Sequence, residues 1–585
     1  MRFFLIIAVF FVQNLSTYCN TAYSTRKDIS LNNRELTNIL TFAEIYGYIR
    51  YFYPSEEAKV IDWDKFVIYS LKKIYSCKDD NQLINTLDSL YNKITPNVLF
   101  LKGNTPIENT NKTNKTFIYW HHWGVETNCS KGYKSRLVSS DSIILDQALL
   151  KDTTIRITST FSSISFIFPI KSISSNTHKT NEISEFINNI NSSTKEDIQN
   201  CTKEFKIACS IITWNIFKHF APYRDLLNIN WSKELEKSIL KNAESKNSHE
   251  FLLNMREMMA KFNDGHIIFN SFENNDRGYF PAIEFEKIED KIIISNVLKS
   301  DIDVKIGDEV LKFNNQPIIE YINEQSRYIS AATPQNLEKR TLKKILEGGE
   351  NTSFTIQLKR KSALKDLQIE RKINAKLYEE TIKSSKPIFK EFSNNIWYIN
   401  LSRINNTQID SLIPDLIQSK GIICDLRGYP NQNKEFLSYL ITDIDTAKWI
   451  GIENIIYPNN TTRNQYSLIG WALKPNSIHI KSPVIFLTNS NAISFSESYL
   501  SLVKHYKLGK IIGETTGGTN GDINCYNLFN KYYFYFTGAR VLKLNGKQHH
   551  GIGIEPDIEV QKKLNNFIKG DDDYIIKAIE LLEHQ

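Results

Sequence analysis

The chain has 585 residues, of which 41% are hydrophobic and 23% charged, with a net charge of +7. That is ordinary globular composition and too long for one core, so roughly three or four domains are expected. The excess charge is Lys scattered through an Asn- and Ile-rich background, with no basic stripe, which argues against a nucleic-acid-binding surface.

Arg2 is followed by the apolar run Phe3 to Val12 and then by polar and small residues up to Ser24. This is the pattern of a signal peptide, and the run is too short to span a membrane. Residues 1–24 are therefore read as a signal peptide and the mature chain as exported, periplasmic or extracellular, with no transmembrane span. Cys19 would suit lipoprotein anchoring, but Tyr18 before it is bulky where a small residue is expected. None of the seven cysteines (Cys19, Cys77, Cys129, Cys201, Cys209, Cys424, Cys525) forms a CxxC pair and histidines are dispersed, so neither a metal site nor a cofactor is expected. Export permits disulfides, but their pairing cannot be read from spacing.

An internal repeat follows. Tyr46 to Pro54 and then Trp63 match Trp214 to Pro222 and then Trp231, at an ungapped offset of 168 residues. Each copy reads as amphipathic helices joined by an aromatic, Pro-containing turn, its Trp and Tyr serving to pack helices. The copies differ at their ends. The second closes on Asn263-Asp-Gly-His266, the first on Thr95-Pro-Asn-Val98, so only the second carries a His. The boundaries are copy 1 at 25–98, a β-rich region and linker at 99–203, and copy 2 with His266 at 204–279.

From Phe280 to about Ala375 the pattern becomes short strands around a Gly307-Asp308 turn and an Asn314-Asn315 hairpin, with a helix from Pro334 to Leu346. This module, 280–375, resembles a PDZ domain, which binds extended peptide ends by strand addition. Residues 376–585 alternate strand and helix as in an α/β core. Asp425-Leu-Arg-Gly428 lies at the C-terminal end of one strand, where such folds place ligand sites. The strand Pro483 to Leu487 turns at Thr488–Asn491 into a helix bearing Phe495, Tyr499, Leu502, Val503 and Tyr506. Ser494 sits at that turn, where free amides and the helix dipole favour a developing oxyanion. Ser494-x-x-Glu497 also fits a capping box, which needs no chemistry. The fold class is thus multidomain α+β: helical N-terminal repeats with a β insert, a PDZ-like module and an α/β core.

Four phrases in order, Asp425 to Gly428, Asn491 to Glu497, Gly513 to Gly518 and Gly551 to Asp557, resemble the tail-specific, or carboxy-terminal-processing, serine peptidases over roughly residues 205–560. The resemblance implies a tail-protease catalytic core with Ser494 as nucleophile and polypeptides as substrates. One branch of the family uses a Lys 25 residues after the Ser, where this chain has Thr519. The tricorn-like branch uses a His from a helical domain before the PDZ-like module, which points to His266 as the base. That branch has a Ser before the His and a Glu near the last glycine motif; here these are Gly265 and His550, so the group orienting His266 stays open. Amides near Gly428 and Phe495 are the candidate oxyanion-hole donors, although Tyr429-Pro430 replaces the usual Asn-Gly. An unperturbed imidazole titrates near ~6.5 and would suit the base, with activity rising between about pH 6 and 8. The PDZ-like module is expected to feed an extended peptide to the site. Two other readings compete: a catalytically inactive peptide-binding scaffold, and a small-apolar-ligand binder on the same fold.

Overall fold

The computed structural model describes residues 31–103, 117–123, 133–139, 154–173, 180–273, 278–299, 302–458 and 465–584. The signal segment 1–24 with Cys19, and also Cys129, lie outside these residues.

Helices Asn33–Phe52, Trp63–Ile74 and Asp80–Tyr91 lead to the strand Leu99–Lys102. Helices Lys203–Phe220, Trp231–Glu244 and Ser248–Ala260, then the strand Ile268–Ser271, follow the same order. The local cause recurs with the elements. Asp62 and Asn230, and likewise Asp79 and Asn247, cap corresponding helices by accepting from an amide three residues on. Trp214 is buried and its indole N–H donates to the carbonyl of Trp231 at 2.8 Å, a packing role.

Residues 173–203, expected as a linker, contain the helix Thr180–Asn200. Its Phe186, Ile190 and Thr194 are buried and fall at four-residue spacing on one face. Phe186 meets Phe66 and Tyr69 of the first repeat. The Asn- and Ser-rich composition around this narrow stripe hid it.

The β insert does not stand apart. Its strand Phe117–Trp123 pairs antiparallel with Ile450–Ile455 of the C-terminal half. His122 on that strand is buried, its imidazole between Ser135 Oγ and the carbonyl of Tyr51. Burial pushes His122 down to about 3, and burial pushes His219, on the helix Lys203–Phe220, well below its ordinary value. Both stay neutral in the native state while the unfolded chain protonates near ~6.5. Stability is therefore fully present above about pH 6.5 and falls as pH drops toward 4, by roughly 1 kcal/mol per pH unit for each histidine. Burial also raises the carboxyls of Asp64, Asp88, Glu284 and Asp522, which work in the opposite direction, while Asp425 and Glu286 are held low by their cations and act in the same direction as the histidines. Urea midpoints measured from pH 7 to 5 should fall steadily, and His122→Gln should flatten the slope; a flat wild-type profile would refute the assignment.

Strands Ile283–Ile288, Lys291–Val297, Glu309–Phe313, Ser353–Arg360 and Ala363–Glu370 form an antiparallel sheet, against which the helix Pro334–Leu346 packs. Asn314 and Asn315 take φ of 47° and 64° in its hairpin, as a primed turn demands. In the C-terminal core, Ile396–Asn400, Gly421–Asp425, Val484–Thr488, Lys510–Gly513 and Ile558–Glu559 run parallel, with Phe389–Phe392 antiparallel at one edge. Gly421–Asp425 and Val484–Thr488 are buried throughout, which is why they read as unbroken apolar runs. Helices Asn406–Gln418 and Phe495–Tyr506 cover one face and Asp573–Glu583 the other.

One small sheet decides the site. Ile523–Leu528, Tyr532–Thr537 and Ile268–Ser271 pair in that order, so the strand following the second repeat is laced onto the core. The corresponding strand of the first repeat pairs with Ile164–Pro169 of the insert instead. No helix among the described residues is long and apolar enough to cross a membrane.

Candidate active site

Ser494 joins the strand Val484–Thr488 to the helix Phe495–Tyr506 with φ 56° and ψ −114°. A non-glycine residue there stores about 1–3 kcal/mol of strain and needs the surroundings to hold it. Its amide donates to the carbonyl of Thr519 at 2.7 Å, and its carbonyl accepts from Ser498 at 3.0 Å. The hydroxyl makes no capping hydrogen bond, so the capping-box alternative fails. Glu497 is turned elsewhere: its carboxylate accepts from the Gly518 amide at 2.7 Å and from the Thr516 hydroxyl, and lies 3.1 Å from His549 Nε2. This fully buried carboxylate thus ties the serine helix to the glycine-rich turn and to the closing segment.

Gly428 is tied to the serine helix. Ser496 Oγ donates to its carbonyl at 3.0 Å, and a Cβ on Gly428 would press on Ser402 at 3.0 Å. The amides of Gly428 and Phe495 donate no hydrogen bond among the described residues. Upstream, Arg427 donates to Asp425 through its backbone amide, Nε and Nη2, and to Asp572 through Nη1. Burial alone would raise the Asp425 carboxyl, but the guanidinium beside it holds it well below the usual carboxylate range. This buried pair stiffens the turn that presents Gly428.

His266 lies in the turn after the helix Ser248–Ala260, just before Ile268–Ser271. Its Nδ1 is 2.8 Å from Thr537 Oγ1 and 3.9 Å from Asp264 Oδ1. Burial pushes the imidazole below its ordinary value, only partly countered by Asp264, so the unperturbed titration expected from sequence does not hold. His266 and Ser494 share no direct hydrogen bond; Thr519 joins their segments. Its carbonyl receives the Ser494 amide, and its hydroxyl receives the Gly265 amide at 2.9 Å. A Cβ on Gly265 would lie 2.6 Å from that hydroxyl. The two positions that depart from the two branches of the resembled family therefore meet in one contact.

The PDZ-like module completes the wall. Asp264 N donates to Ser330 Oγ at 2.9 Å, Arg340 donates to the carbonyl of Gly265, and Asn336 to that of Ser490 at 2.7 Å. Residues 395–560 match peptidase family S41, and residues 279–390 match a PDZ domain. The chain carries a peptidase family S41 domain.

A probable CtpA-like serine protease of Staphylococcus aureus is 22% identical to this chain over 339 residues, 53% of this chain and 61% of that protein. The chain thus spans about three fifths of the length of the curated relatives it matches. The structure of mature CPAF complexed with lactacystin superposes with a TM-score of 0.51 at 11% identity, over 65% of this chain and 98% of that one. At that identity the likeness is one of fold.

Within the S41 domain and its approaches, Ser496 ties Gly428 to the helix that Ser494 begins, and Thr519 joins the Ser494 turn to the His266 turn. Thr537 carries no sequence signal of its own, and Glu497 reads in the sequence as a helix cap and the end of the Asn491 to Glu497 phrase. Asp264 stands two residues before the His that closes the second repeat. His550 is buried with its ring stacked 3.8 Å from that of Tyr223, and burial pushes it down to about 4. Inside the S41 domain it is thus a neutral imidazole, which cannot replace a carboxylate in orienting His266. Among the described residues, no group of His, Cys, Asp and Glu is placed to hold a metal.

Proposed function

We propose that the chain is an exported serine peptidase that hydrolyses peptide bonds in unfolded or C-terminal polypeptide segments. Ser494 Oγ attacks the scissile carbonyl as His266 takes its proton. The oxyanion is received by the Gly428 and Phe495 amides, each worth about 3–4 kcal/mol by analogy with other oxyanion holes. His266 then returns the proton to the leaving amine, and water releases the acyl group by the reverse route. The observation that carries the reading is Ser494 itself, strained at a helix N-terminus with an uncapped hydroxyl and two undonated amides beside it. The serine-protease name of the matched relatives points the same way. Export is supported by the N-terminal apolar run and by Cys525, which is disulfide-bonded. A fluorophosphonate probe should label Ser494 stoichiometrically, as read by peptide mass spectrometry. Absence of the adduct would favour the inactive scaffold.

Substrate approach has a physical basis. A cavity of about 450 Å³ lies between Phe285, Lys343 and Tyr378 of the PDZ region and Arg427, Gly428 and Asn491 of the core. Lys383 and Lys386 also line it, a setting that suits a free carboxylate or acidic tail. The double change Lys383→Glu, Lys386→Glu should raise KM several-fold for a peptide with a free C-terminus and leave kcat on a small ester unchanged. An equal rise for the C-terminally amidated peptide would remove the carboxylate from the argument. Deleting the PDZ-like module would not test this reading cleanly, because its helix Pro334–Leu346 is bonded to the Ser490 and Gly265 turns.

A further inference from the structure

The strand pairing that carries His266 to the core also gives it a partner. Tyr532 to Tyr535 pair with Ser271 to Ile268, and two further steps in that register set Thr537 opposite His266. Thr537 is 1% exposed and Asp264 6%. The Asp264 carboxylate accepts from the Thr537 amide at 2.8 Å, the Thr537 hydroxyl at 2.7 Å and the His266 amide at 2.9 Å. The Thr537 hydroxyl has one proton, and it goes to Asp264. Its 2.8 Å contact with His266 Nδ1 must then be an N–H donated by the imidazole. That leaves the lone pair on Nε2. The first repeat is informative here: Pro96 and Val98 stand where the second has Asp264 and His266, so acid and imidazole occur together only in the copy that meets this strand.

We propose that Thr537 and Asp264 act as a pair of positioning residues, the hydroxyl setting the tautomer of His266 and the carboxylate behind it supporting the imidazolium formed when Nε2 takes the Ser494 proton. The inference rests on the peptidase reading above. It fills the position left open by Gly265 and His550. Asp264, Glu497 and Asp522 face His266 with negative charge, Arg340 with positive charge, and His550 as a neutral ring.

The substitution Asp264→Asn tests the proton count. An amide whose oxygen keeps the Thr537 N–H and whose NH2 takes the other position donates to Thr537 Oγ1, turns the hydroxyl proton toward Nδ1 and places the imidazole proton on Nε2, the wrong nitrogen. The expected loss in kcat is on the order of 10³–10⁴, as for other triad acids changed to amides. Thr537→Val should lose on the order of 10- to 100-fold, a modest orienting contribution, and Thr537→Ser should restore activity. Loss of the carboxylate should also move the acid limb of kcat/KM to lower pH, which a purely structural role would not do. The direct readout is ¹⁵N NMR of histidine-labelled Ser494→Ala protein, which needs no turnover: His266 should carry its proton on Nδ1, and on Nε2 after Asp264→Asn. The pairing is overturned if His266 shows the Nε2–H form in the unsubstituted pocket, or if Thr537→Val matches wild type in rate and pH profile while His266→Ala is dead. If His266→Ala stays active, the base assignment falls instead, and the NMR result alone judges the pair.

Discussion

Ser494→Ala is expected to abolish peptide hydrolysis, with kcat falling by a factor on the order of 10⁴–10⁶ while the melting temperature stays near wild type. The two halves of this expectation have separate causes. The loss follows from removing the only atom that can form the acyl-enzyme. The retained stability follows from what the hydroxyl does not do: it makes no capping hydrogen bond, and the amide that anchors the turn to Thr519 belongs to the backbone. Alanine keeps the Cβ and with it the strain at φ 56°. Ser494→Gly should be equally inactive yet melt above Ser494→Ala, because glycine adopts that conformation freely. Steady-state hydrolysis of an unfolded protein and calorimetry measure both. Turnover retained in Ser494→Ala would sink the nucleophile assignment whatever the fluorophosphonate result.

His266→Ala should lower kcat by a factor on the order of 10⁴, because it removes the proposed acceptor of the serine proton. Thr519 has no titratable group. Lys504, on the serine helix, donates to the carbonyl of Glu555 at 2.8 Å, well along from the helix start. The pH profile carries the sharper information. Burial lowers the His266 pKa, with Arg340 adding to the effect and Asp264, Glu497 and Asp522 opposing it. A base works when neutral, so kcat/KM should rise through an ionisation below the ordinary ~6.5 and be flat by pH 7. A midpoint above 6.5 would contradict the burial. Activity surviving in His266→Ala but lost in Lys386→Ala, a lysine of the cavity beside Gly428, would replace the imidazole with an ammonium base.

Much of this molecule was legible without coordinates because local chemistry dictates it. The buried strands Gly421–Asp425 and Val484–Thr488 are written as apolar runs, the hairpin at Asn314–Asn315 as the residues that tolerate left-handed backbone, and the repeats as matched aromatics 168 residues apart, Trp63 and Trp231. The position of Ser494 follows from an unbroken apolar run giving way to a period of 3.6 at one turn. Such signals need only neighbours along the chain. What the sequence could not say concerns partners hundreds of residues away. Its spacing placed the helix Thr180–Asn200 in a linker because polar composition drowned a narrow apolar stripe. It drew a boundary at the insert that the pairing of Phe117–Trp123 with Ile450–Ile455 crosses. Above all, it could name His266 but not its support. Thr537 is an ordinary strand threonine until the register with Ile268–Ser271 sets it against the imidazole. Glu497 resembles a helix cap until the fold aims it at Gly518. Local propensity chooses the elements; pairing between distant strands, set by burial of an apolar face, chooses which side chains share a proton.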